Sequence, residues 1–306
     1  MIQKPPPELQ TLRDFIRYGA SLFDRYGLFF GHGTDNALDE AAWLALRTLH
    51  LPHDLPEIYL GANLTEKERR QVWEIFVRRI TTRKPAAYLL REALFCGLSF
   101  YVDERVMIPR SPIGEWIEKR FSPWLDGVEV RRILDLGTGS GCLAIAAAYA
   151  FPEAEVDAVD SSLRALEVAR INISRHGLED RVFPIFSDGF EKLRGREYQL
   201  IVANPPYVPE KRYEKLPPEY LYEPKEALFS PERGLFHTKR ILASAGDFLS
   251  EEGVLVVEVG ATAKILEEVF PEVPFLWLEL ERGGEGVFLL EAAELKRFQP
   301  IFRERL

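Results

Sequence analysis

Residues 132–141 read RILDLGTGSG, and this stretch decides the fold. Its first five residues form a short, mostly apolar run of the kind that is buried in a parallel sheet. Gly137, Gly139 and Gly141 then make a glycine-rich turn, and the apolar residues after it predict a helix over about 142–149. A strand, a glycine turn and a helix in this order begin a nucleotide-binding type of α/β unit. The sequence therefore predicts an α/β domain.

The ligand of this turn is indicated by two acidic residues. The G-x-G-x-G spacing misses the dinucleotide pattern G-x-G-x-x-G because position 142 is Cys. Asp135 inside the motif would repel phosphates but accept hydrogen bonds from an ammonium group. Asp160 ends the next predicted strand, 156–159, at the distance typical of a residue that binds ribose hydroxyls. A nucleoside carrying an amino acid, S-adenosylmethionine, fits both; the alternative is an ordinary α/β turn without a ligand.

A third strand, predicted over 182–186, leads to Ser187, Asp188, Gly189 and Phe190. Asp188 is expected at the carboxyl edge of the sheet, where it would accept a hydrogen bond from an adenine amino group. Phe190 would supply an apolar wall. The alternative is that Asp188 only caps a following short helix.

A fourth strand carries the predicted chemistry, since residues 198–207 read YQLIVANPPY. Pro205 and Pro206 stop the strand and hold Asn204 extended at its carboxyl end. The Asn204 side chain and the Pro205 carbonyl offer two acceptors for the N–H bonds of a planar –NH2 group, with Tyr207 as a lid or stacking face. The motif therefore predicts a socket for an amide or an exocyclic amine; the alternative is a simple turn.

The composition describes a globular protein of about two domains, with 306 residues of which 46% are hydrophobic. The net charge of −9 argues against broad binding of nucleic acid and favours a small or basic partner. Residues 1–10, MIQKPPPELQ, lack a secretory signal pattern, and no apolar run is long enough for a membrane span, so we expect a cytoplasmic location. Cys96 and Cys142 are expected to be buried free thiols, and no metal site is predicted.

Residues 1–92 are predicted to form a helical domain. Helices are expected from about 9 to 26, from 39 to 49, and after Thr65, which forms a capping box with Glu68. Residues 93–112 are read as a β-hairpin linker with its turn at residues 103–104, and residues 113–306 as the catalytic domain. Arg110 lies between two prolines, either as a surface charge or as part of the active cleft.

After the NPPY motif, residues 208–234 are predicted to be a long functional loop in which Glu223 and its neighbours pack back on the socket. A helix is expected over 235–249, a strand over 254–259, then another helix. A final pair of strands is predicted over 275–280 and 287–291.

The DLGTGSG motif, Asp160 and NPPY together resemble the HemK/Prm family of class I S-adenosylmethionine-dependent methyltransferases, which methylate the side-chain amide of glutamine in proteins. This resemblance implies a Rossmann-like sheet of seven strands in the order 3-2-1-4-5-7-6, with strand 7 antiparallel, preceded by a helical substrate-recognition domain. Residues 95–115, FCGLSFYVDERVMIPRSPIGE, and the HGTDN turn at 32–36 resemble the PrmB branch, whose substrate is the basic large-subunit ribosomal protein L3.

The resemblance also implies roles for individual residues. Asp135 and the glycine turn would bind the methionine part of the cofactor, Asp160 and Ser161 the ribose, and Asp188 with Gly189 and Phe190 the adenine. Asn204 would contact both the cofactor and the substrate amide, which Pro205, Pro206 and Tyr207 would also hold, while Arg110 and Glu223 would line the substrate cleft. The turn residues concerned are Gly137, Thr138, Gly139, Ser140 and Gly141. An aromatic residue often follows the Asp188 position in the family, whereas this chain has Gly189.

Three other functions stay open at this point. A release factor is the substrate in the PrmC branch of the same family. A nucleic-acid amino-group methyltransferase would use the same NPPY socket for a flipped or single-stranded base. A non-catalytic assembly factor would bind the ribosomal protein through the helical domain alone.

Overall fold

The computed structural model describes residues 4–306, so the first three residues of the MIQKPPPELQ segment and of the predicted helical domain lie outside it. The chain divides into two compact units. The first comprises the chain up to Ala93 together with Pro217–Tyr222, and the second comprises Leu94–Leu216 and Glu223–Leu306. None of the helices in the described part of the chain combines the length and the apolar character needed to cross a bilayer.

The first unit is helical. Thr11 caps its first helix through a capping box with Asp14, Asn36 caps the second, and Thr65 caps the third through the predicted box with Glu68. Its core includes an edge-to-face pair of Phe23 and Phe76, whose ring centroids are 5.3 Å apart. The elements are α1 (Leu12–Arg25), α2 (Ala37–Thr48), a 3₁₀ helix (Glu57–Gly61), α3 (Glu66–Thr82) and α4 (Ala86–Leu90), with the 3₁₀ helix Pro218–Tyr222.

A cluster of buried charges lies in this unit. The Arg79 side chain is fully buried, and its Nε donates to Glu40 Oε1 at 2.7 Å. Glu219, from the second segment of the unit, is also fully buried; its Oε1 lies 2.8 Å from Arg83 Nη2 and accepts from the Phe29 N–H at 3.0 Å. Burial raises the pKa of Glu40, and Arg79 opposes that shift. Because unpaired buried charges are costly, these contacts tie Pro217–Tyr222 into the helical unit.

The predicted hairpin exists, but its turn was placed wrongly. The strands are β1 (Ala93–Phe95) and β2 (Leu98–Phe100), so Cys96 and Gly97 form the turn and residues 103–109 contain no strand. Both turn residues have positive φ, 48° and 71°, as a two-residue type I′ turn requires. Asp103 instead binds Arg105, two residues later. Cys96 and Cys142 are free, as expected, but half-buried rather than buried.

The second unit contains the predicted seven-stranded sheet. Its order is β5-β4-β3-β6-β7-β9-β8, with β9 antiparallel to both β7 and β8 and the other pairs parallel, which confirms the expected topology. Because β3, β4, β5 and β6 run parallel, their carboxyl ends lie at one edge. The strands are β3 (Arg132–Leu136), β4 (Glu155–Asp160), β5 (Val182–Phe186), β6 (Tyr198–Ala203), β7 (Leu249–Glu258), β8 (Leu276–Trp277) and β9 (Val287–Glu291).

Helices cover both faces of this sheet. Leu143, Ala144 and Ile145 of α6 (Cys142–Ala150) belong to one apolar core, and Ile241 and Leu242 of α10 (Phe236–Ala245) belong to the other. The last helix, α12, was not predicted, β7 begins earlier than expected, and both α10 and β8 are shorter. The helices are α5 (Ile113–Glu118), α6 (Cys142–Ala150), α7 (Leu163–Arg175), α8 (Glu210–Tyr213), α9 (Lys225–Leu228), α10 (Phe236–Ala245), α11 (Ala263–Val269) and α12 (Ala292–Glu304).

Candidate active site

A cavity of about 960 Å³ opens at the carboxyl edge of β3, β4, β5 and β6. All the residues that line it belong to the second unit. The residues proposed from the sequence that line the cavity are Arg110, Gly137, Thr138, Gly139, Ser140, Asp160, Ser161, Asp188, Gly189, Phe190, Asn204, Pro205 and Pro206. Four others lie outside its wall: Asp135, Gly141, Tyr207 and Glu223.

The glycine turn forms one wall with its backbone. Gly137 and Gly139 have φ of 83° and 55°, which L side chains adopt only under strain. The N–H groups of Gly137 and Thr138 both donate to the Val159 carbonyl at 2.8 Å, which fixes the turn against the end of β4. A Cβ on either glycine would meet no other atom within 4 Å, so both present bare backbone to open space. A ligand can therefore approach the main chain closely at this wall.

Asp135 lies behind the turn rather than in the cavity. Its Oδ2 accepts from Thr138 Oγ1 at 2.6 Å and from the Ala144 N–H at 3.0 Å, and the side chain is fully buried. Its Oδ1 has no hydrogen-bond partner within residues 4–306. Burial raises the pKa of this carboxyl to about 7. The observed contacts join the start of the glycine turn to the start of α6.

Asp160 presents its carboxylate at the cavity wall in a fixed direction. Oδ2 accepts from the Gly139 N–H at 2.9 Å, and Oδ1 accepts from the Ser162 N–H at 2.8 Å. Burial raises the pKa of Asp160, while these backbone donors favour the charged form and oppose the shift. Each carboxylate oxygen retains a second lone-pair direction, so the group can accept from a pair of hydroxyls.

Asp188 follows β5 and is paired with Arg240 of α10, at 3.0 and 3.1 Å between the guanidinium nitrogens and the carboxylate oxygens. No helix lies between Asp188 and β6 in the described chain, so the alternative that it caps a following short helix is wrong. Phe190 is buried and stacks on Phe248, with ring centroids 4.7 Å apart. Both rings line the cavity, which gives this end of it an apolar wall.

The NPPY motif follows β6 directly, as the sequence predicts. Asn204, Pro205 and Pro206 line the cavity, and the Asn204 side chain makes no hydrogen bond to any residue of the described chain. No backbone donor in the described chain binds the Pro205 carbonyl. Two acceptors one residue apart are therefore available beside the wall formed by Asp160.

Tyr207 does not line the cavity. Its hydroxyl donates to Glu258 Oε1 at 2.8 Å, and its ring packs on Gly260. The structure thus shows the tyrosine as an anchor behind the motif, whereas its predicted contact with the substrate stays a prediction.

Arg110 and Glu223 lie together. The guanidinium binds both carboxylate oxygens, at 2.6 and 2.7 Å, and Glu223 Oε1 also accepts from the Ile108 N–H at 2.9 Å. Arg110 is half-buried at the cavity wall, so it is not an isolated surface charge. The pair joins residues 108–110 to the loop that follows the NPPY motif.

Sequence reasoning missed Ser111, Glu258, His237 and Arg240. Ser111, His237 and Arg240 line the cavity, and Glu258 lies at the carboxyl end of β7, beside β6. Glu258 could have been found from the pattern that pointed to Asp160, because each is an acidic residue at the end of a buried apolar strand. Arg240 had no such signal, because its partner Asp188 lies 52 residues away in the sequence.

Comparison with known proteins gives the family. A model of the methyltransferase small domain matches residues 122–228. Ribosomal protein uL3 glutamine methyltransferases of Neisseria meningitidis serogroups B and A are each 50% identical over 296 residues, which cover 96% of this chain and 97% of the relative.

Solved structures of lower identity show the fold alone. The hMettl16 catalytic domain, solved in complex with a MAT2A 3′UTR hairpin, has a TM-score of 0.51 at 16% identity and covers 94% of this chain and 92% of that chain. A second hMettl16 complex has a TM-score of 0.50 at 17% identity, covering 76% of this chain and 85% of that one.

Proposed function

We propose, since the chain belongs to the family of ribosomal protein uL3 glutamine methyltransferases, that it transfers a methyl group from S-adenosylmethionine to the side-chain amide nitrogen of a glutamine in uL3. The observation that carries this proposal is the pair of available acceptors at Asn204 and Pro205, at the wall of the same cavity as Asp160.

The cavity fits S-adenosylmethionine. The bare backbone of Gly137 and Gly139 leaves room for close approach, the fixed carboxylate of Asp160 suits ribose hydroxyls, and the Phe190 and Phe248 rings suit an adenine. Asp188, which is paired with Arg240, would accept a hydrogen bond from the adenine amino group. When bound, the cofactor supplies an electrophilic methyl group on a sulfonium. Asp135 would act indirectly, by holding the turn.

Asn204 and Pro205 would activate the substrate by orienting it. An amide nitrogen is a weak nucleophile because its lone pair is delocalised into the carbonyl, and positive charge grows on it as the new N–C bond forms. Acceptors aimed at its two N–H bonds stabilise that charge more than they stabilise the neutral amide. The two prolines restrict the backbone around these acceptors, so little reorganisation is needed when the reaction occurs.

Proton removal does not require a strong base in this scheme. The methylated nitrogen loses a proton to restore a neutral amide, and that proton can pass to water. His237 lines the cavity, and burial together with the charge of Arg240 lowers its pKa, which favours the neutral imidazole. We assign it no step.

The charge distribution supports a basic protein substrate. The second unit has 26 basic and 35 acidic residues, whereas the first has 13 of each, so the whole acidic surplus lies in the unit that contains the cavity. Such a surplus attracts basic partners over several ångströms. We propose that the helical residues, 1–92, recognise the substrate and that residues 93–112 connect them to the catalytic domain at 113–306. We also propose that the protein acts in the cytoplasm and that it does not bind nucleic acid directly, or does so only through the ribosomal particle.

Methyl transfer from labelled S-adenosylmethionine tests the proposal. Isolated uL3, a release factor and ribosomal RNA are offered in parallel, and the labelled residue is identified by mass spectrometry. Label on a glutamine of uL3 alone is the expected result. Label on the release factor would keep the chemistry and change the substrate, whereas label on RNA would mean that the socket accepts a base amine instead.

A further inference from the structure

Glu258 is a buried carboxylate that connects two segments of the site. It ends β7 and is only 5% exposed. Its Oε1 accepts from the Tyr207 hydroxyl at 2.8 Å, and its Oε2 accepts from the Ser111 hydroxyl at 2.6 Å. Burying an ionisable group costs free energy, and these two donors offset part of that cost.

The position of Glu258 relates it directly to the acceptors of the socket. In the parallel pairing of β6 with β7, Ala203 lies opposite Val257. Asn204 and Glu258 are therefore the next residues on two adjacent strands, at the same edge of the sheet. Tyr207 follows Asn204 by three residues, two of which are prolines that leave the backbone little freedom.

Tyr207 has little room for any other orientation. A Cβ added to Gly260 would lie 2.6 Å from Cε2 of the tyrosine ring, so the ring rests directly on the glycine backbone. A Cβ on Gly234 would overlap the Tyr207 carbonyl oxygen. Both glycines have positive φ, of 48° and 93°. The hydrogen bond to Glu258 therefore holds a residue whose ring packs on the Gly260 backbone and whose main-chain carbonyl packs on Gly234.

Ser111 extends the connection to a second segment of the cavity wall. It lines the cavity and follows Arg110, whose guanidinium is held by Glu223. Burial raises the pKa of Glu258, and the hydrogen bonds of Ser111 and Tyr207 and the charge of Arg110 oppose that shift. The three groups that face the Glu258 carboxylate thus all favour its charged form.

We infer that Glu258 is a positioning residue for methyl transfer: by holding Tyr207 and Ser111 together, it fixes where Asn204 and Pro205 present their acceptors. This inference rests on the proposed function and deepens it. Glu258 itself does not line the cavity, so it acts through the NPPY motif rather than on the substrate.

The test uses the full chain with Glu258→Gln, Tyr207→Phe and the double variant. Glu252→Gln is the matched control, because it makes the same change at an exposed position of the same strand. Steady-state kinetics with uL3 gives kcat and KM, calorimetry gives the Kd of S-adenosylhomocysteine, and thermal unfolding gives Tm. Since small displacements of reacting groups cost up to about 100-fold in rate, we expect kcat to fall about 10- to 100-fold in each single variant.

Two further results are expected if Glu258 acts through Tyr207. The Kd of S-adenosylhomocysteine stays within about twofold of the wild type, and the double variant is no slower than the slower single variant, because coupled residues are not additive. A drop in Tm with unchanged kcat, or additive losses in the double variant, would mean a structural role only and overturn the inference. Methylation by wild type and Glu258→Gln at equal rates would overturn it while leaving the proposed function intact. Absence of transfer to uL3 by the wild type would overturn both.

Discussion

The guanidinium of Arg110 binds both carboxylate oxygens of the buried Glu223, at 2.6 and 2.7 Å. Removing the arginine takes away the cation that neutralises the buried Glu223 carboxylate. We therefore expect Arg110→Ala to lower the free energy of unfolding by about 3 kcal/mol.

Urea denaturation measures this loss. Arg131→Ala is the control, because Arg131 pairs with Glu129 while both side chains are more than 70% exposed. That variant should stay within about 0.5 kcal/mol of the wild type. Equal losses in the two variants would contradict the structural role given to the Arg110 pair.

Asn204→Ala should abolish most turnover and leave cofactor binding nearly intact. The side chain lines the cavity and has no hydrogen bond to keep within the described chain, so its loss should not disturb the fold. Losing one preorganised group that stabilises transition-state charge costs at least about 100-fold in kcat. Single-turnover rates with uL3 and calorimetry with S-adenosylhomocysteine separate the two effects, and a wild-type rate would remove Asn204 from the mechanism.

Asp135 should make stability depend on pH in a defined direction. Burial raises its pKa to about 7, from 3.8. The folded protein then holds a proton that the unfolded chain has already released, so the free energy of unfolding falls as the pH rises from about 4 to 7. Each pKa unit corresponds to about 1.4 kcal/mol, which makes the total a few kcal/mol.

Asp135→Asn removes this titration while keeping the shape of the side chain. Urea denaturation of both proteins at pH 4.5 and 7.5, values chosen to lie within and above that window, gives the comparison. Relative to the variant, the wild type should lose stability at the higher pH. A difference that does not change with pH would mean that Asp135 keeps its ordinary pKa.

Glu219→Ala should loosen the helical unit. Its carboxylate is fully buried, lies 2.8 Å from Arg83 and accepts from the Phe29 N–H, so its removal takes the carboxylate partner from Arg83 and the acceptor from that N–H. We expect a loss of about 3 kcal/mol, seen as faster hydrogen exchange in α3. Glu214→Ala, an exposed change in the same loop, is the control and should leave α3 unaffected.

Salt should weaken the encounter with uL3 more than the chemistry. The second unit has 35 acidic and 26 basic residues, so it carries a net negative charge. Raising the ionic strength screens the attraction between this charge and a basic protein. We expect kcat/KM to fall severalfold between 50 and 300 mM salt while kcat stays nearly constant. A short uncharged glutamine peptide should show no such dependence; equal salt effects on both substrates would argue against electrostatic attraction.

The sheet could be predicted because its strands carry local signals. Buried parallel strands are short apolar runs. In this chain a glycine, an acidic residue or a proline marks the carboxyl end of each of the four strands β3, β4, β5 and β6. The strand order came from the family resemblance, not from these runs. The capping box at Thr65 and Glu68 is equally local, and it fixed the start of α3.

The rest depended on contacts between residues far apart in the sequence. Asp188 pairs with Arg240 and Tyr207 with Glu258, at separations of 52 and 51 residues, which no local pattern encodes. The hairpin turn was misplaced because Cys96 adopts positive φ, which is uncommon for a residue other than glycine. The last helix was missed because Pro300 lies inside it, and proline usually argues against a helix interior.

The division of the chain into units has a consequence for its synthesis. Pro217–Tyr222 belongs to the helical unit, although the residues on either side of it belong to the other unit. Arg79 and Arg83 therefore leave the ribosome long before Glu219, the carboxylate with which both form ion pairs in the folded unit. The amino-terminal helices are the first part of the protein to be made, yet they cannot complete their own interior until most of the catalytic sheet has also been translated.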